Sequence, residues 1–442
     1  MQIKYLLIIF IVFSLLFGCS NRSEKLSVYK HSEIKKELQE KKIIQNGVDY
    51  SKFNKLTINV VTDKGVNAND TEDDWKAIQD ALNQVKKEGG GTVLVPKGKY
   101  ILNHSLKIYK NTRLKLSNHA TMIRKHRGAL IINGDVNAEY HGYNGHGNIV
   151  VEGGTYIMNM VGSSVPGAWF GIGRANGIII RNIKVMNLTN SHAIDLNSSR
   201  NVLIENGQFL GFQDNTSDGS MDYIEAIQIS NHTKKGFMAF GAYDGTPSQD
   251  ITVKNCIFGD SGTKGFGTWA VGVGNHGYGI LNLYNERIKI QNNTFDGMTM
   301  AGIHINAYKN VTIEGNKFND NNNAIIMDTP SNNYYPDTTL SNRLQAGERI
   351  TIKDNIFENT NKENIIFSGF QNEQETAAIN NVSIINNRFI STTANNLARD
   401  YVNINLFLCK NVVIKNNYLE NLDNNVKINQ SEEVKVESDI SY

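Results

Sequence analysis

Six residues able to move protons or hydrogen-bond a sugar fall at corresponding points of a repeated pattern: His192, Asp195, Glu225, Gln228, His276 and His304. The segments are His192-Ala-Ile-Asp-Leu-Asn197, Glu225-Ala-Ile-Gln-Ile-Ser230 and Ala301-Gly-Ile-His-Ile-Asn306. In each, two apolar residues of one parity (Ile194/Leu196, Ile227/Ile229, Ile303/Ile305) are expected to face a core. The opposite parity sets Asp195, Gln228 and His304 in one outward column, and Asn197, Ser230 and Asn306 in a second. His192 and Glu225 open their strands, and His276, in Gly-Val-Gly-Asn-His-Gly-Tyr-Gly, falls at about the same point of the rung between. Glu225 has inward parity, and a buried carboxylate is costly unless paired, with His192 as the nearest partner.

Such a set suits glycan chemistry. Hydrolysis of a glycosidic bond uses two carboxylates, which Asp195 with Glu225, or Asp222 with Asp195, would supply. Abstraction of the C5 proton of a uronic acid uses a base such as His192, His276 or His304. It also needs a neutraliser of the sugar carboxylate, which Arg174, Lys264 or a calcium ion would supply. Trp169 offers a stacking plane, and Tyr243 would overhang the strip from the long segment 231–249. Gln228, His304 and Asn306 complete the contacts. The reading is a polysaccharide-degrading enzyme, hydrolase or lyase, with a polysaccharide as partner. A non-catalytic glycan-binding adhesion protein and a sugar epimerase are the alternatives, because plain sugar binding rests on aromatic stacking and amide hydrogen bonds.

The elements that position these residues are announced by nine copies of one phrase, among them NVLIENGQF (201–209), RIKIQNNTF (287–295) and NVSIINNRF (381–389). Each has an alternating apolar stretch, a small or amide residue, then a bulky apolar one. So short a unit cannot bury its own apolar face and must stack on its copies. Rungs then lie about 4.8 Å apart, which makes neighbours of residues distant in sequence. Spacings between phrases widen after 201, 250 and 310. The extra residues are inserted loops, which in solenoids gather on one face, often the binding face.

Ahead of the phrases, a strand near 58–62 is followed by Asn69, Asp70 or Thr71 as the cap of a helix. Its apolar positions are Trp75, Ile78, Ala81, Leu82 and Val85, and Gly89-Gly90-Gly91 ends it. The string NDTEDDWKAIQDAL…GGGTVLVPKGKY resembles the N-terminal cap of the pectate-lyase/polygalacturonase-like superfamily. The resemblance implies an all-β, single-stranded right-handed parallel β-helix over 56–442, with a cap (56–102) containing one α-helix. It also implies action on an acidic or amino-sugar glycan. The polygalacturonases' Asn-Thr-Asp, Asp-Asp, Gly-His-Gly and Arg-Ile-Lys motifs are matched incompletely. Ala-Ile-Asp195 and Asn-His276-Gly stand near two of them, and no Asp-Asp lies on the relevant coil.

Residues 1–18 read as a signal peptide, with one Lys and then a continuous apolar run. Leu16-Phe17-Gly18-Cys19 resembles a bacterial lipobox, which implies lipidation of Cys19, a tether over 19–55 and a membrane-anchored, extracytoplasmic domain. Cys256 and Cys409 read as buried free thiols. With 45 basic and 43 acidic residues, net charge +2, nothing indicates the basic stripe of a nucleic-acid binder.

Overall fold

The computed structural model describes residues 44–158, 170–336, 339–391, 402–420, 422, 426–437 and 440–441. The signal peptide and Cys19, and also Trp169, lie outside the described residues. Among the described residues, three long sheets contain 13, 12 and 11 strands, each strand following the same-sheet strand of the previous coil. Pairing along all three is parallel. The fold is a right-handed parallel β-helix.

The repeated phrase turns the corner between the first two sheets. In RIKIQNNTF, Glu286–Gln291 lies in the 13-stranded sheet and Thr294–Asp296 in the 12-stranded one. The first amide of the corner, Asn292, has φ 54°, and Asn206, Asn255, Asn386 and Asn416 repeat this left-handed backbone. Asn tolerates that region better than other residues with a Cβ, hence its recurrence here. The second amide turns inward. Asn293, Asn316, Asn355 and Asn387 each donate their main-chain N–H to the side-chain oxygen of the next coil's Asn, at 2.9–3.0 Å. The final aromatic stacks on its copies: Phe209, Phe258, Phe295, Phe318, Phe357 and Phe389 lie 4.7–5.2 Å apart, ring planes within 14° of parallel.

At the N-terminal end the helix Trp75–Lys87 buries Ile78, Ala81, Leu82 and Val85 on the core, as the spacing predicts. Its cap is Asp74, three residues beyond the last expected candidate. The Asp74 N–H donates to the Ile101 carbonyl (2.8 Å), and its carboxylate accepts the Ile101 N–H (2.9 Å). These bonds pin the chain to strand Gly98–Leu102, and the helix starts only after them.

The folded unit opens at Ile44, so the expected boundary at 56 is corrected. Val48 and Phe53 are buried against Val150, Ile179 and Leu203, which lie on the face of the 13-stranded sheet opposite the main core. Without that cover three apolar side chains would meet water, so residues 44–54 belong to the domain rather than to a tether. Cys256 and Cys409 are buried free thiols, both pushed up to about 12 by burial.

Candidate functional site

Strand register confirms the outward column. Asp195 lies opposite Gln228, Gln228 opposite Gly274, and Gly274 opposite His304. Asn197 pairs with Ser230 on the adjacent position. The 11-stranded sheet carries both, and the inserted segments rise around it. They enclose a pocket of about 460 Å³ lined by His192, Asp195 and Gln228 from the sheet side. Asn190, Tyr223, Asn231, Thr233, Lys235, Asn275, His276 and Tyr278 come from the loops, and Tyr334 from the short strand Asn333–Tyr334 of an inserted hairpin. A separate, more open depression of about 490 Å³ crosses the 13-stranded sheet over Thr312, Thr351 and Ser383. It is lined by no carboxylate or imidazole.

On the pocket wall lies a three-residue cluster. Glu225 is fully buried. Its carboxylate lies 2.8 and 3.1 Å from His276 Nδ1 and 3.5 Å from His192 Nδ1. His192 Nδ1 is also 2.9 Å from the Glu225 main-chain oxygen. The two imidazoles stack at 5.6 Å, and the Tyr223 ring packs edge-on to His276 at 4.5 Å. Burial disfavours charge on His276, but the hydrogen bond and charge of Glu225, helped by Asp195, outweigh it and raise its pKa. Burial raises the pKa of Asp195 against the pull of His192 and His276 and a 2.6 Å hydrogen bond from Asn197. His276 itself lies beyond Gly274, in the loop leaving its strand, not at the start of the rung as expected.

Other expected site residues lie elsewhere. Asp222 is exposed in a turn and Lys264 is exposed in a loop, neither lining the pocket. His304 Nε2 pairs with Asp328 (2.8 Å), and Asn306 bonds Asn275 through its main-chain N–H and its amide; neither lines the pocket. Arg174 is buried and ion-paired to Asp244 (2.6 Å) rather than held out as an anion contact. Tyr243 stacks on His232 at 5.7 Å instead of overhanging the sheet. The segment 231–249 does wall the pocket, through Thr233, Lys235 and Gly236. Lys235, Tyr278 and Tyr334 were missed in the sequence, where only their place in inserted segments marked them.

His232 makes that wall acid-sensitive. Burial pushes its pKa down to about 4, aided by the Arg174 charge and opposed by the Phe240 carbonyl bond and Asp244. An unfolded histidine titrates near ~6.5, so the opened loop binds more protons between those values. The stabilisation is complete above pH ~6.5 and is lost as pH falls through about 4. Hydrogen exchange of 231–249 is therefore expected to accelerate on acidification beyond the intrinsic rate, by an opening free energy on the order of 3 kcal/mol. In His232→Gln that extra pH dependence should vanish; if it persists, another group is responsible.

The coil-by-coil register, the left-handed Asn corners and the capping helix decide the architecture. The chain carries a right-handed parallel β-helix. A solved exopolygalacturonase from Thermotoga maritima superposes with a TM-score of 0.61 at 14% identity, over 92% of this chain and 96% of that one. The structure of the Streptococcus pneumoniae surface protein and adhesin PfbA superposes with a TM-score of 0.73 at 24% identity, over 88% of this chain and 97% of that one. In sequence, plasmin and fibronectin-binding protein A of Streptococcus pneumoniae is 30% identical over 332 residues, 67% of this chain. The aligned segment covers 45% of that protein, so the chain spans less than half of its length. No protein-family model matches the chain.

These likenesses correct the expectation of a carbohydrate-cleaving enzyme. The similar protein is named for binding plasmin and fibronectin, and its structure is that of an adhesin. Of the expected carboxylates, Glu225 is enclosed by two imidazoles, and Asp222 is exposed and does not line the pocket.

Proposed function

We propose that this chain is a surface-exposed adhesion module that holds an acidic glycan in the pocket above the 11-stranded sheet, anchored outside the membrane through Cys19. The observation that carries the reading is the lining. Tyr223, Tyr278 and Tyr334 offer aromatic faces, while Asn190, Gln228, Asn231 and Asn275 add amides suited to hydroxyl groups. Lys235 Nζ sits 5.8 Å from the centre of the Tyr278 ring, which meets Tyr334 at 5.5 Å. Lys235 gives the pocket a cationic side, so a uronic or sialic type of sugar is favoured over a neutral one. The likeness to a pneumococcal surface adhesin supports a role in attachment.

The test is a glycan array probed with the full-length protein, followed by calorimetry on the best ligand. Tyr278 is 39% exposed at the pocket rim, so Tyr278→Ala should leave the melting temperature unchanged. Loss of one stacking plane, about 1–2 kcal/mol, should weaken binding roughly tenfold. Plasmin and fibronectin are tested on the same surface. Binding to either that ignores Tyr278→Ala, with no glycan retained, would replace this reading with a protein-binding one.

A further inference from the structure

We infer that His192, Glu225 and His276 form a binding site for a divalent transition-metal cation of the zinc class. One donor atom from each residue lies within 4.8 Å of the other two. A tetrahedral zinc ion with bonds of about 2.1 Å holds its ligand atoms roughly 3.4 Å apart. The Glu225–His276 and Glu225–His192 separations of 2.8 and 3.5 Å bracket that spacing, and His192 Nδ1 would exchange its 2.9 Å bond to the Glu225 main-chain oxygen for the ion. Closing the widest pair requires a shift of about 1.4 Å, within reach of a side-chain rotation because His276 sits on a loop.

Three features favour an ion here over a merely structural hydrogen bond. The Glu225 carboxylate is fully buried, and it pairs with these two imidazoles. Such a group needs a positive charge beside it, and a dication between the rings supplies it without protonating either. The donor set is two imidazoles and one carboxylate, which suits zinc, nickel or copper. Calcium and magnesium prefer oxygen donors, so calcium is the wrong ion for this cluster. The surroundings are those of a supported site. Tyr223 packs edge-on against His276 and restrains its ring.

Both imidazoles line the pocket. Three protein donors leave a fourth position for water or for a carboxylate or hydroxyl oxygen of a bound molecule. That last role rests on the pocket being the ligand site; the metal site does not.

The experiment uses tag-free, full-length protein stripped with chelator and titrated with Zn²⁺ alone, without glycan. Calorimetry and elemental analysis after dialysis should give one tightly held zinc per chain, with Ca²⁺ producing no saturable heat. Co²⁺ in place of Zn²⁺ should give the visible absorption of a four- or five-coordinate nitrogen/oxygen site. His276→Ala is the first variant, because His276 is partly exposed and its loss should not unfold the protein; zinc affinity should fall at least 100-fold. His192→Ala should behave likewise, and circular dichroism confirms that both remain folded. The proposal is overturned if the wild type takes up no stoichiometric zinc, or if both variants bind it as the wild type does. Zinc uptake with no glycan bound anywhere on the array would sustain the metal site and sink only the glycan reading.

Discussion

Replacing Asp244 with alanine is expected to destabilise segment 231–249 by about 3–5 kcal/mol while the stacked sheets keep their cooperative unfolding. The Arg174 guanidinium is wholly buried, and its Nη1 lies 2.6 Å from Asp244 Oδ1. Its remaining bonds from Nη1, to Ser198 Oγ and the Gly142 carbonyl, are both 3.3 Å and neutral. Asp244 also accepts the main-chain N–H and the hydroxyl of Thr246, at 3.0 and 2.6 Å. Removing the carboxylate strands a buried positive charge, the costly half of a broken pair. The reverse change, Arg174→Met, leaves a carboxylate that is 36% exposed and can turn to water, so its cost should be nearer 1 kcal/mol. Because the segment carries Thr233 and Lys235, ligand affinity in Asp244→Ala should fall at least tenfold. Limited proteolysis and urea unfolding of the two variants check the asymmetry. Equal stability would mean the pair is not what holds the wall.

Phe295→Ala should cost the β-helix itself about 3–5 kcal/mol. The ring is fully buried, 4.8 Å from Phe258 and 5.0 Å from Phe318. Truncation loses its transfer energy and leaves a cavity that rigid neighbouring coils cannot close. The ring also lies against Gly272, where an added Cβ would come within 2.4 Å of it, so no side chain at that position fills the gap. In a solenoid each coil contacts chiefly its neighbours, so the loss should appear as weakened coupling between the coils on either side. Urea denaturation followed by circular dichroism should show a lower midpoint or a split transition. Phe295→Leu, which keeps most of the volume, should recover most of the loss. A wild-type midpoint in Phe295→Ala would show that the aromatic stack adds little beyond the sheets.

The two ladders show why the architecture was legible. Alternation of apolar residues fixes which side of a strand faces inward, and repetition fixes which residues stack, so Asp195 opposite Gln228 followed from counting alone. The phrases that read NIVVEGG, GIIIRN and NVLIEN held a further signal. Between their alternating core-facing positions the intervening positions are apolar too, which is how a strand covered on both faces reads. Val48 and Phe53 are that cover. The cover supplied from Ile44 onward is therefore encoded in these phrases.

The site was legible only in part. His192, Asp195, Glu225 and Gln228 lie on or beside strands, where register carries over from coil to coil, and all four converge as the strand count implies. His276, Lys235, Tyr278 and Tyr334 sit in inserted segments, whose paths obey no period. Arg174 and Asp244 lie 70 positions apart, and nothing local states that they pair. Local pattern thus settles the coil, its inward faces, its Asn corners and its stacked Phe ladder, because each depends on neighbours one repeat away. Whether a carboxylate is free or enclosed by imidazoles depends on loops folding back over the sheet. Those loops are held by buried charges, amide bonds and aromatic contacts between residues far apart in the chain, and only the folded molecule brings them together.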